Sequence, residues 1–207
     1  MSLFNRRQIL ISGLFLWLFA VAGTTLVAVT EFGTREPIIN NEKQVLLRNL
    51  HALLPESLLD NDIATDTLEL APDPLLGTTE NSLVYRARKQ GVPVAAVFNS
   101  IAPNGYSGKI YLLIGVFVDG RVAGVRVVKH AETPGLGDAI EIRKSGWITG
   151  FDGKAIGRPA LKDWKVKRDD GIFDQFTGAT ITPRAVVQAV KNTLLYYQQN
   201  ADMIFQP

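Results

Sequence analysis

The chain of 207 residues contains no cysteine and only two histidines, His51 and His130. Without cysteine there can be no disulfide, no thiolate metal site, no iron–sulfur ligation by this chain and no catalytic thiol. Two histidines far apart in sequence leave an imidazole-held metal centre or a haem short of ligands. Any redox chemistry must therefore be carried by an organic cofactor. Charge is also sparse, at 20% charged residues with a formal net charge of +2. It forms no basic block, so nucleic-acid binding is set aside. A dinucleotide fingerprint of the Gly-x-Gly-x-x-Gly type after a strand is absent as well, which argues against direct oxidation of NADH.

What the chain does have begins with an uncharged apolar run. No charged residue lies between Arg7 and Glu31, and Ile9–Val29 is mostly Ile, Leu, Phe, Ala and Val. About 20 residues at roughly 1.5 Å each cross a hydrocarbon core of about 30 Å, whereas the apolar part of a signal peptide is shorter, about 7–15 residues. A single transmembrane helix over 8–30 is expected. The competing interpretation is a cleaved signal peptide using the small residues around Ala22–Ala28. Arg6 and Arg7 before the span and Glu31 after it place residues 1–7 in the cytoplasm by the positive-inside rule. Residues 31–40, with Gly33 and Pro37, read as a linker, and 41–207 as one domain on the far side, the periplasm in a bacterium.

Within that domain an α+β fold is expected. A helix over Asn41–Leu54 precedes a Pro- and Asp-rich stretch with a short strand near Thr67–Leu70. Leu83–Arg88 and Val92–Ile101 flank Gln90–Gly91 as two strands, with Pro93 suiting a strand start or an edge. Ile110–Val118 and Arg121–Lys129 flank Asp119–Gly120 as a central antiparallel hairpin, with a two-residue turn expected. The first arm is apolar on both faces and should be covered on both. The hairpin delivers the chain to His130–Gly137, His-Ala-Glu-Thr-Pro-Gly-Leu-Gly. A helical or irregular stretch at Asp138–Trp147 and a short strand at Trp164–Lys167 follow. Val186, Val187, Val190, Leu194 and Tyr197 then define a final helix, with Pro183 at its first position and Thr182 as N-cap.

Two stretches carry chemistry. Phe176–Thr182, Phe-Thr-Gly-Ala-Thr-Ile-Thr, puts the Thr180 hydroxyl just before a helix start, where backbone N–H groups and the dipole favour a phosphate. Glu-Thr-Pro-Gly-Leu-Gly, residues 132–137, lies upstream. Together with the anchor and the missing cysteines, these stretches resemble the covalent-FMN domain family, in the RnfG form found in Rnf-type (also Rsx) ion-translocating electron-transport complexes. The related flavin-carrying component of the sodium-translocating NADH:quinone reductases shares both motifs more loosely.

The resemblance implies FMN joined by a phosphoester to Thr180, within the motif Thr177, Gly178, Ala179, Thr180. It also implies that Glu132, Thr133, Leu136 and Gly137 contact the flavin, that Tyr106 borders it, and that Lys167, or else Lys165, brings positive charge to the reduced ring. His130 reads as a strand-end residue more than a proton donor. The implied role is a relay of single electrons between partner subunits holding flavin or iron–sulfur centres. The chain would not be catalytic by itself, and a separate flavin transferase using FAD would install the cofactor. The alternatives are the equivalent component of a sodium-translocating quinone reductase, or an anchored assembly module without flavin.

Overall fold

The computed structural model describes residues 3–206. These divide into two compact units, one up to Leu46 and one from Leu47 onward.

The first unit is helix throughout, as part of α1, Leu3–Leu53. Its apolar stretch is exposed on every side, from Ile9 and Leu10 through Trp17 and Phe19 to Val29 and Phe32. By length and composition this apolar stretch is able to cross a membrane. The helix also continues through residues 31–40, where an irregular linker was expected. Pro37 removes a single N–H from the ladder, and Glu31 stands four residues before Arg35, the favourable order for a helical ion pair. The hydroxyls of Thr30 and Thr34 are absorbed by carbonyls one turn back, at 2.8 Å each.

The second unit is built on a five-stranded antiparallel sheet in which every strand pairs with its neighbours in sequence. The strands are β1 (Thr67–Leu70), β2 (Ser82–Lys89), β3 (Val92–Ala102), β4 (Ile110–Phe117) and β5 (Val122–Lys129). At the β2–β3 turn both Gln90 and Gly91 have positive φ, 53° and 76°, as a two-residue type I′ hairpin demands. The β4–β5 turn differs from expectation. Phe117 N–H donates to Arg121 O and Gly120 N–H to Phe117 O, both at 2.8 Å, so the loop holds three residues, with Gly120 at φ 84°. Asp119 keeps a negative φ, and the single glycine suffices for the three-residue form.

Alternation along β3 and β4 gives the sheet two buried faces. Ala96, Phe98, Leu112, Ile114 and Val116 belong to the main core, with Val186, Val190, Leu194 and Tyr197 of the last helix, α2 (Ile181–Ile204). Ser100 and Thr193 share a buried hydrogen bond of 2.8 Å that ties β3 to α2. Ala95, Val97 and Leu113 are buried on the opposite face, where Leu53 at the end of α1 comes against Gly124 of β5. Arg126 of β5 also donates to Ala52 O at 3.1 Å. The doubly apolar β4 is thus covered on both sides.

Between β5 and α2 the chain has little regular structure beyond short 3₁₀ turns. The strand expected at Trp164–Lys167 reduces to one bridge between Val166 and Phe173. Aromatic packing supplies what the backbone pairing does not. Phe151 lies 4.7 Å from Phe173 and 5.3 Å from Trp147, and Trp164 lies 5.3 Å from Phe173, as ring centroids. Phe176 joins this cluster through Trp147 at 5.2 Å.

Candidate functional site

The site is built where the end of β5 and the start of α2 approach one another. Phe176–Ala179 forms a turn closed by Ala179 N–H donating to Phe176 O at 3.1 Å. Gly178 takes φ 79°, a conformation that a residue with a Cβ resists. α2 begins immediately after Thr180, at Ile181. Pro183 therefore sits in the first turn, where no intrahelical N–H is required.

Thr182 is inside the helix and does not cap it. Its hydroxyl, fully buried, donates to the Glu132 carboxylate, and the helix start has no side-chain cap. The N–H groups of Ile181 and Thr182 lack intrahelical acceptors by their position in the first turn.

The opposite wall is the loop after β5. Leu136 and Gly137 N–H groups both point to Thr133 O, at 3.2 and 3.1 Å, which folds the loop back on itself. Buried Asp138 accepts from Gly135 N–H at 2.8 Å. His130 orients the start of the loop. Its Nδ1 accepts from Glu132 N–H at 3.0 Å, so Nε2 carries the hydrogen and donates to Glu141 Oε1, also at 3.0 Å. Both ring nitrogens are thus engaged in holding the loop.

The His130 bond, helped by Arg143, holds the Glu141 carboxyl below its ordinary range. A carboxyl depressed in the folded state stabilises the fold fully above its unfolded value, about 4.3, and that contribution is lost as pH falls through the folded value. Melting curves of the native chain and of Glu141→Gln should therefore differ at neutral pH and converge in acid. Parallel curves would refute this role.

A cleft of about 300 Å³ lies between the two walls, lined by Tyr106, Glu132, Thr133, Leu136, Gly137 and the run from Gly178 to Thr182. Tyr106, Leu136 and Ile181 are exposed apolar side chains along it. Of the residues singled out in the sequence, the cleft gathers Tyr106, Glu132, Thr133, Leu136, Gly137, Gly178, Ala179 and Thr180. Exposed Thr177 is not in the lining. Neither lysine is: Lys167 Nζ lies 2.5 Å from Asp174, and Lys165 borders a different cleft with Asp169 and Arg184.

Sequence reasoning missed Thr182 as a wall residue and Asp138 as a loop anchor. The first was hidden by its resemblance to an N-cap, and no local pattern marks the second.

Comparison with known proteins places these residues within a known domain. A family profile described as FMN-binding domain matches residues 105–195, which contain both walls, and one described as RnfG N-terminal region matches residues 1–53. The G subunit of the ion-translocating oxidoreductase complex of Pseudoalteromonas atlantica is 50% identical over 194 residues, covering 94% of this chain and 90% of that protein. The chain belongs to this RnfG family. The Vibrio parahaemolyticus member is 46% identical, with 93% of this chain and 91% of that protein covered, and the Pseudomonas aeruginosa member is 45% identical, at 98% and 95%. As an RnfG family member it is a membrane-anchored protein with an FMN-binding domain, and the cleft lies within that domain.

Proposed function

We propose that this chain is the electron-relaying subunit of an ion-translocating oxidoreductase complex, with one FMN esterified through its phosphate to Thr180. The observation that carries the proposal is the single cleft that draws in residues of Glu132–Gly137 and Gly178–Thr182, two stretches far apart in sequence, with Thr180 in its lining.

The residues present fit the group. Thr180 supplies an acceptor oxygen, and the free N–H groups of Ile181 and Thr182 at the positive end of α2 suit a phosphate. Gly178 leaves the approach free of a side chain, and its φ of 79° is one that a residue with a Cβ resists. Tyr106, Leu136 and Ile181 offer apolar surface to a flat ring system, and exposed Thr133 offers polar atoms to its edge. A volume of about 300 Å³ is at the lower end of small-molecule clefts, so much of a flavin held here stays accessible to a redox partner.

Bound flavin would supply one-electron redox chemistry. The chain's own residues would bind and orient it, and α1 would keep it within reach of partner subunits. Arg6 and Arg7 before the apolar stretch and Glu31 after it support a cytoplasmic amino terminus and a periplasmic FMN-binding domain at the inner membrane. A separate transferase supplied with FAD would perform the attachment.

The test is denaturing electrophoresis of the chain produced together with such a transferase. A band fluorescing under ultraviolet light is expected for the native sequence and none for Thr180→Val. A band that persists in Thr180→Val would remove Thr180 as the attachment point.

A further inference from the structure

Glu132 is 4% exposed, and its carboxylate holds together three segments remote in sequence. Oε1 accepts from Ser107 N–H, in the turn after β3, at 2.9 Å, and Oε2 accepts from the Thr182 hydroxyl in the first turn of α2. Glu132 itself belongs to the loop after β5. Glycines on either side make room for it. A Cβ at Gly105 would fall 2.8 Å from Oε1, and one at Gly137 would fall 2.9 Å from both Oε2 and the Thr182 oxygen.

Thr180 precedes Thr182 by two residues and already has helical backbone angles, φ −72° and ψ −28°. Two residues turn a helix by about 200°, so the two side chains leave the helix in different directions although both residues border the cleft. Thr182 is directed inward, 0% exposed, and its hydroxyl is committed to Glu132. Thr180 is half-buried and borders the cleft.

From this we infer that Glu132 is a positioning residue for flavin attachment. By holding Thr182 inward it fixes the rotation of the α2 start, which presents Thr180 to the cleft and keeps Thr182 from serving as a rival acceptor. The inference rests on Thr180 being the attachment point. In the attachment step the Thr180 oxygen forms a bond to the flavin-side phosphorus of FAD, the pyrophosphate bond breaks, AMP leaves, and the hydroxyl proton passes to a base of the transferase or to water. Glu132 takes no part in these bond changes; it acts through Thr182 on the acceptor's orientation.

The test uses the full-length chain in detergent, purified without flavin, then supplied with transferase, FAD and Mg²⁺. The initial rate of fluorescent labelling is measured below the melting temperature of every variant, and melting is recorded in parallel. Thr182→Ser keeps the hydroxyl and should label within about twofold of the native chain. Thr182→Val, nearly isosteric, and Glu132→Ala should each label about tenfold more slowly. Because both remove the same link, the double variant should be no slower than the slower single one.

A native labelling rate in Thr182→Val overturns the inference, and so do single effects that multiply in the double variant. A merely structural role would lower the melting temperature and leave the rate unchanged. If the native chain itself takes up no flavin, the attachment at Thr180 falls, and this inference with it. If the native chain labels and only the Thr182 and Glu132 variants fail to differ from it, the attachment stands and this inference alone is lost.

Discussion

Gly137→Ala is expected to remove most of the covalent flavin signal while leaving the sheet folded. Gly137 is buried, and a methyl group there would meet Glu132 Oε2 and Thr182 Oγ1 at 2.9 Å and Glu132 Cβ at 3.0 Å. Ends of flexible side chains can usually give way, but these two are buried and bonded to one another. Overpacking of this kind costs about 1–3 kcal/mol. The cheapest relief is for the 132–137 loop to step back from α2, which breaks the Glu132–Thr182 bond and opens the cleft. A shift of about 1.4 kcal/mol lowers the ratio of assembled to opened arrangements tenfold, and labelling falls in step once the opened arrangement predominates. Labelling should thus fall by about tenfold or more, read by in-gel fluorescence, with far-ultraviolet circular dichroism close to native. Full labelling would mean that the loop tolerates the methyl group without moving, and that the contacts of Gly137 have no bearing on attachment.

Phe151→Ala should give the largest loss of stability of any single change considered. Phe151 is completely buried, and its ring lies within 6.4 Å, centroid to centroid, of Trp147, Trp164 and Phe173. Truncating a buried phenylalanine costs about 3–5 kcal/mol, a large part of the about 5–15 kcal/mol that holds a typical fold. The segment between β5 and α2 has almost no backbone pairing to fall back on, so the cavity cannot be closed by a neighbouring strand. A fall of about 10 °C in melting temperature is expected for the full chain in detergent. A change of only a degree or two would show that the aromatic cluster is not what organises this segment. Phe176 reaches the cluster through Trp147, so Phe151→Ala should also loosen the turn that carries Thr180.

The sequence made the sheet visible because its signals are local. Runs of strand-forming residues on either side of Gln90–Gly91 and Asp119–Gly120 define two hairpins, and strands that pair only with their chain neighbours leave no topology to guess. α2 was equally legible from its repeating Val and Leu, as were the two stretches that make up the cleft.

Three features resisted for distinct reasons. Residues 138–173 are held by Trp147, Phe151, Trp164 and Phe173, whose spacing follows neither the helical nor the strand period. The continuation of α1 through Gly33 and Pro37 runs against the usual weight of those residues as breakers, because one missing N–H is a small loss in a long helix. The Glu132–Thr182 link joins residues 50 apart, and nothing in either local sequence names the other. Lys167 shows the limit of carrying over a role by position alone, since its ammonium lies beside Asp174.

The strand order of the sheet also bears on when a chain becomes fit for modification. All five strands lie before residue 130 and pair in the order in which they leave the ribosome, by short connections that close quickly. One wall of the cleft follows them, but the other is the start of the last element, which must be made and docked on β3 and β4 before any cleft exists. A transferase that requires the assembled cleft would then pass over nascent and half-folded chains. On the proposed function, a flavin on Thr180 would then mark a chain whose last helix has already docked.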